Sequence, residues 1–256
     1  MSRERAPDVS ASVGPGETGG DAAATRGLDP LARALRAYRA GRSDAVLRVL
    51  VEGEHDRDLP VAHFFRDGRR LTAFDRATLR AAQGSVLDVG AGVGALALPL
   101  ARAGHRVTAL EPLPQAAAIL RERGVADVRE ASVWTLEPGT GWDTVVALMN
   151  GTALAGTRAR LPTLLERLSA LTAPAGSILI DSTALCEPND VLDDGRFAGE
   201  LHFQLELDGE RGEPFPQLFV PEAVLVEEAA ALGLGTRKLH EDAGGRYLME
   251  MRRAPP

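Results

Sequence analysis

Between residues 85 and 181, short apolar runs alternate with stretches whose apolar positions recur at helical spacing. The pattern predicts strands at 86–89, 105–110, 125–130, 142–149 and 177–181, with helices at 94–103, 113–123 and 158–171 between them. Gly104 and Gly124 follow two of the helices, and Pro174-Ala-Gly176 turns the chain into the last of these strands. Val145-Val146-Ala147-Leu148 is apolar without a break, which implies a strand buried on both faces. Strand–helix alternation of this kind predicts an α/β fold, a parallel sheet covered by helices on both sides.

The flanks follow other rules. Residues 1–27 are rich in Gly, Ala, Pro, Ser and Thr without periodicity, and so bury too little apolar surface to offset their ordering entropy; a disordered tail is expected. Asp29-Pro30 reads as a helix start, Asp as cap and Pro at the first position. Leu31, Leu35 and Tyr38 then fall at helical spacing, as do Val46, Leu47 and Leu50, and 71–82 reads as a further helix stopped by Gly84. Beyond 181 the segment 201–207 alternates apolar and polar, Asp208-Gly209 is a turn signal, and 217–220 can return antiparallel. A helix at 221–232 and strands at 236–240 and 246–251 complete the chain. The expected organisation is a tail (1–27), an N-terminal helical cap (28–84), and a core (85–256) carrying a β-hairpin insertion at 186–220.

Composition narrows the function classes. A net charge of −7 fits a nucleic-acid binder poorly, although the Arg-rich stretch 66–80 leaves room for a local basic patch. Cys186 is the one cysteine, and the five histidines show no metal-ligand spacing, so no metal is expected. The charged first residues lack an apolar leader core, and no run approaches 18 apolar residues, which predicts a cytoplasmic protein with no membrane partner. Oligomeric state is not legible.

The chemistry centres on Val86-Leu-Asp88-Val-Gly90-Ala-Gly92-Val-Gly94, between a strand and a helix. Glycines serve a tight turn and a close backbone approach to a ligand, and the helix start beyond offers free N–H groups. Glu111, at the end of the next strand, stands where an acidic side chain can take both hydroxyls of a ribose. With Ala95 the same glycines also read as the Gly-x-Gly-x-x-Ala fingerprint of a dinucleotide site. Asp88 separates the readings. A diphosphate over this turn would face its carboxylate, whereas a sulfonium and an α-amino group would be attracted by it.

These residues resemble the class I S-adenosylmethionine-dependent methyltransferases. The run from Asp88 to Gly94 is similar to their first motif, Glu111 matches their acidic residue after the second strand, and 171–181 resembles their fifth-strand segment. Ser132-Val133 stands where the family often has an acidic residue beside the adenine, so Ser132 is a departure. The stretches 60–66, 148–156 and 212–215 are similar to a small bacterial branch without an assigned substrate. The resemblance implies a Rossmann-like, doubly wound, seven-stranded sheet with an antiparallel last strand. It implies S-adenosylmethionine as cofactor, contacted by Asp88, Gly90, Gly92, Gly94, Glu111, Pro112, Ser132, Val133 and Met149, with methyl transfer to an O, N or C atom of a small molecule.

For the acceptor side, His63 and Asn150 are the candidate catalytic residues. His63 can take a proton near neutral pH, and it sits beside Phe64 and Phe65 in a cap segment able to close over the methyl path. Asn150 ends the fourth strand of the core, where ligands meet open α/β sheets. A packed-loop histidine and a plain Asn-Gly turn are the competing readings. Arg66 and Asp181 are secondary candidates, and Cys186 reads as a small apolar residue. Two rival functions stay open: a nicotinamide-dependent oxidoreductase, against which the lack of a Tyr-x-x-x-Lys pair also counts, and a non-catalytic binding protein on the same fold.

Overall fold

The computed structural model describes residues 26–52, 56–139 and 141–254; the expected tail at 1–27 lies almost wholly outside them. In chain order it runs α1 (Asp29–Arg39), β1 (Val46–Val51), β2 (Arg57–Pro60), a 3-10 turn (Val61–Phe65), α2 (Ala73–Ala81), β3 (Ser85–Val89), α3 (Ala97–Arg102), β4 (Arg106–Leu110) and α4 (Pro114–Glu122). Then come β5 (Asp127–Arg129), β6 (Trp142–Ala147), α5 (Leu161–Leu171), β7 (Thr172–Thr183), β8 (Glu200–Leu207), β9 (Glu210–Arg211), β10 (Phe215–Leu218), α6 (Glu222–Ala231), β11 (Leu234–Glu241) and β12 (Arg246–Arg253).

The main sheet has seven strands in the order β11-β12-β7-β6-β3-β4-β5. Strands β3 to β7 pair in parallel, while β12 is antiparallel to both β7 and β11. Neighbouring residues of one strand feed opposite cores. Leu87, Val145, Ile178 and Ile180 pack under the leucines of α5, whereas Val86, Val146, Leu179 and Leu248 pack with Phe74 of α2 and Leu100 of α3. Burial on both faces explains the unbroken apolar runs of the central strands. The sheet is the expected doubly wound one, with the crossover between β3 and β6 at its centre.

The cap differs from expectation. Val46, Leu47 and Leu50 lie on a strand, not a helix: Leu47, Val49 and Val51 are buried while Val46 and Arg48 are exposed. Three valines favour extended backbone, and β1 pairs with β8, more than 150 residues later, with Val49 opposite Leu205. The hairpin insertion is therefore not free-standing. Strands β8, β9 and β10 join β1 and β2 in a second, antiparallel sheet. Its β8–β9 turn places Asp208 and Gly209 at φ of 55° and 83°, the left-handed pair that a tight hairpin requires. Helix α1 starts at Asp29 with Leu28 in the cap position and no side-chain cap, so Asp29 is the first helical residue rather than the cap. Leu35, Leu47, Phe65 and Leu207 pack with Leu113, which caps α4, and with Ile119 of that helix, which seats the second sheet over the end of the core where the glycine turn lies.

Candidate active site

Strand β3 delivers Asp88 and then the glycine turn to the carboxyl edge of the main sheet. Gly90 and Gly92 take φ of 69° and 57°, a region that costs other residues about 1–2 kcal/mol. A Cβ built on either meets no atom within 4 Å, so the turn borders open space. Gly94 is different: a Cβ there would lie 3.1 Å from Leu120 and 3.3 Å from Leu98, so this glycine serves helix packing.

Asp88 is buried, and its Oδ2 has no hydrogen-bond partner among the described residues. Burial, then the nearby Glu111, pushes its carboxyl up to about 7, against the pull of the Ala97 N–H and Arg66. Glu111 is buried too. Its Oε2 accepts from Gly92 N at 2.8 Å and its Oε1 from Leu113 N at 2.8 Å, and desolvation lifts it to about 7. Each oxygen keeps a lone pair for a further donor. Pro112, between them, is exposed. A buried carboxylate oxygen without a partner is expensive, and Asp88 Oδ2 is one, beside a glycine turn with room for a ligand. The pair fits a group with a cation on one part and vicinal hydroxyls on another.

Past β5, the Ser132 carbonyl accepts from Thr135 N and Leu136 N, both at 3.2 Å. The Val133 side chain is sunk in the core, and its carbonyl accepts from Arg167 Nε at 2.8 Å. Past β6, Met149 and Asn150 both sit at φ 66°, two consecutive left-handed residues neither of which is glycine. Such strain persists only where surroundings enforce it. Asn150 Nδ2 donates to Leu218 O at 3.1 Å, its Oδ1 accepts from Thr152 Oγ1 at 3.1 Å, and Gly151 N donates to Asp181 Oδ1 at 2.9 Å. Asp181 is fully buried and bound by Arg246. Asn150 and Asp181 thus hold the turn; their polar atoms are committed to protein partners.

From the cap comes Arg66, which is also buried. Its Nε and Nη2 donate to the two oxygens of Asp75 at 2.7 and 2.8 Å, and its Nη1 to His63 O at 3.0 Å and Met149 Sδ at 3.6 Å. Asp75 in turn closes a capping box with Thr72 at the start of α2. His63 is half-buried, and burial followed by the Arg66 charge lowers its imidazole pKa. Phe65 points the other way, stacked on Tyr38 at 4.4 Å with Arg123 over its ring, and so anchors the cap to the core. A cavity of about 620 Å³ opens at the amino ends of the strands, lined by Ser85, Arg106, Asp127 and Trp142. It includes none of the groups above and lies on the edge away from the glycine turn, where ligands of open α/β sheets do not sit.

Residues 86–176 match the family model described as a methyltransferase domain. The crystal structure of an S-adenosylmethionine-dependent methyltransferase from Bacteroides fragilis, in complex with S-adenosyl-L-homocysteine, is 29% identical over 90% of this chain and 97% of that one, with a TM-score of 0.79. The chain carries a methyltransferase domain, and its cofactor is S-adenosylmethionine. The fold is shared more widely. The CcbJ methyltransferase of Streptomyces caelestis aligns over 71% of this chain and 89% of its own at 19% identity, TM-score 0.58. The sugar N-methyltransferase KedS8 of a Streptoalloteichus species aligns over 71% and 85% at 18% identity, TM-score 0.52. No curated protein sequence matches the chain. The dinucleotide-oxidoreductase reading of the glycines gives way to the methyltransferase one.

Among the described residues of this methyltransferase, no helix is long and apolar enough to cross a membrane, and no group of three or more His, Cys, Asp or Glu is placed to hold a metal ion. The pattern reading missed Asp75 and the Thr152–Ser182–Leu218 knot. Asp75 was signalled by Thr72-x-x-Asp75, a capping-box spacing; the knot joins segments too far apart in sequence to announce themselves.

Proposed function

We propose that this methyltransferase acts on a small molecule, binding its donor in the cleft bordered by Asp88, Gly90, Gly92 and Glu111 and its acceptor between His63, Met149 and the second sheet. The observation that carries the reading is the unpartnered, buried Oδ2 of Asp88 beside an open glycine turn. S-adenosylmethionine bound there supplies a methyl group on a sulfonium, already activated for displacement by an acceptor lone pair. Asp88 would face its cationic end and Glu111 the ribose hydroxyls, with backbone at Gly90, Gly92, Pro112 and Ser132 against the rest. Val133 and Gly94 would act from beneath, as packing.

The chain's further contribution is alignment and exclusion of water, the former worth up to about 7–11 kcal/mol where a bimolecular step becomes unimolecular. His63, held neutral by burial and by Arg66, is suited to accept a proton from an acceptor hydroxyl or ammonium. Asn150 would contribute by fixing the turn that presents Met149, since its amide is bound to Leu218 O. Two modules build the site: the core from 85 onward and a lid made of 28–84 together with the insertion. The acidic net charge supports a small-molecule rather than nucleic-acid acceptor, and with the single cysteine supports a cytoplasmic location. Incubation with S-adenosylmethionine and a panel of small metabolites, read as S-adenosylhomocysteine release, tests the assignment; turnover confined to protein or nucleic-acid acceptors would refute it.

A further inference from the structure

The Arg66–Asp75 ion pair is the most deeply buried one that the cap contributes, with side-chain exposures of 6% and 1%. Desolvating two charges costs several kcal/mol per ion before their attraction is counted, so apolar residues would fill this space with less penalty. The pair also sits at a junction. Through Nη1 the guanidinium holds the His63 carbonyl and the Met149 thioether, so it grips the cap turn and the strained turn after β6 together. Strand β6 is the neighbour of β3, with Val146 paired to Asp88. The ion pair therefore stands beside the strand end that carries the unpartnered carboxyl.

We propose that Arg66 and Asp75 are positioning residues for the donor site, which together fix the Met149 turn and, with opposite signs, set the electrostatic field at the Asp88 carboxyl that meets a cationic methyl donor. The proposal rests on the donor reading above. The groups that act on the Asp88 carboxyl include Glu111 from the turn after β4, the Ala97 N–H at the start of α3, and Arg66 and Asp75 from the cap. Glu111 and Asp75 oppose ionisation of Asp88, while Arg66 and the Ala97 N–H favour it. The two members of the ion pair thus act with opposite signs at one carboxyl, a property that a purely structural clamp would not have.

That opposition supplies the test. S-adenosylmethionine and S-adenosylhomocysteine are titrated calorimetrically into the full chain from pH 5.5 to 8.5, with folding checked by circular dichroism. In the unsubstituted protein, affinity for S-adenosylmethionine should rise through about pH 7 as the carboxyl gives up its proton. Arg66→Gln should move that midpoint upward by roughly half a pH unit or more, Asp75→Asn should move it downward, and the double variant should return it toward the starting value. Arg66→Lys, which keeps the cation, should keep the midpoint. Should Arg66→Gln not fold, Asp75→Asn against Arg66→Lys still carries the sign. Unmoved midpoints, or shifts of one sign for both single variants, overturn the positioning role while leaving the donor site intact. No binding of either compound to the unsubstituted protein overturns the donor reading itself, and this proposal with it.

Discussion

Glu111 reaches back across the glycine turn so that its Oε2 accepts from the amide of Gly92 at 2.8 Å, while its Oε1 takes the amide of Leu113. One buried carboxylate thereby ties the end of β4 to the turn after β3 and to the start of α4. The same side chain that would read a ribose also shapes the loop that would carry the rest of the donor.

Glu111→Ala should weaken S-adenosylmethionine binding by about 1.5–3 kcal/mol, the scale of charged hydrogen bonds, or roughly 10- to 150-fold. Calorimetry reads this directly. Affinity within a factor of two of the unsubstituted protein would remove Glu111 from the site.

Glycines of one motif should separate by experiment. Gly90→Ala and Gly92→Ala each place a Cβ in open space at positive φ, so both should stay folded, lose about 1–2 kcal/mol of stability, and lose donor affinity steeply. Gly94→Ala meets Leu120 and Leu98 instead, so it should cost stability with little effect on the affinity of the protein that remains folded. Thermal melts paired with calorimetry distinguish the two patterns; equal affinity losses at all three positions would contradict the division.

Much of this was legible beforehand. The five core strands, the glycine turn and Glu111 announced themselves because parallel strands buried on both faces leave unbroken apolar runs and because the turn needs residues of special backbone freedom. The cap was not. Val46-Leu-Arg-Val-Leu-Val51 satisfies helical spacing and strand alternation at once, and only pairing with β8, far away in the chain, decides between them. For the same reason the expected hairpin at 201–220 turned out to be part of a larger sheet. Arg66 reads as a candidate contact, but its commitment to Asp75 depends on how the cap turn folds over α2. Asn150 reads from the sequence as a residue facing a ligand; that its amide tethers the insertion at Leu218 depends on a segment 68 residues away.

That tether has a consequence for stability. Asn150→Ala removes the donor to Leu218 O and places alanine at a left-handed φ that asparagine tolerates better. A loss of about 1–3 kcal/mol is expected, visible as a lower melting temperature and faster proteolysis of 184–220. Unchanged melting would mean that Thr152 and Ser182 hold the turn without it.

Stability should depend on pH in an unusual direction. Asp88 and Glu111 both titrate near 7 in the folded chain, above the unfolded value of about 4. The native state therefore binds more protons than the unfolded one between these values, and stability falls as pH rises from about 4 to 7, then levels off. The ligand-free protein should lose stability across that window, in part offset near its upper end by His63, whose imidazole burial holds below its ordinary value. Asp88→Asn should flatten the slope, and thermal melts at fixed ionic strength follow it. A stability that rises from pH 5 to 7 would contradict the buried carboxyl pair.

The central claim is that Asp88 waits for the cationic end of S-adenosylmethionine, and one comparison addresses it most directly: calorimetric titration of that compound, and separately of a nicotinamide dinucleotide, into the unsubstituted protein and into Asp88→Asn at pH 8. The account expects S-adenosylmethionine to bind the unsubstituted chain, to bind Asp88→Asn at least about tenfold more weakly, as loss of one charged hydrogen bond implies, and the dinucleotide not to bind. Equal affinity of S-adenosylmethionine for both proteins, or tighter binding of the dinucleotide once the carboxylate is removed, would contradict it.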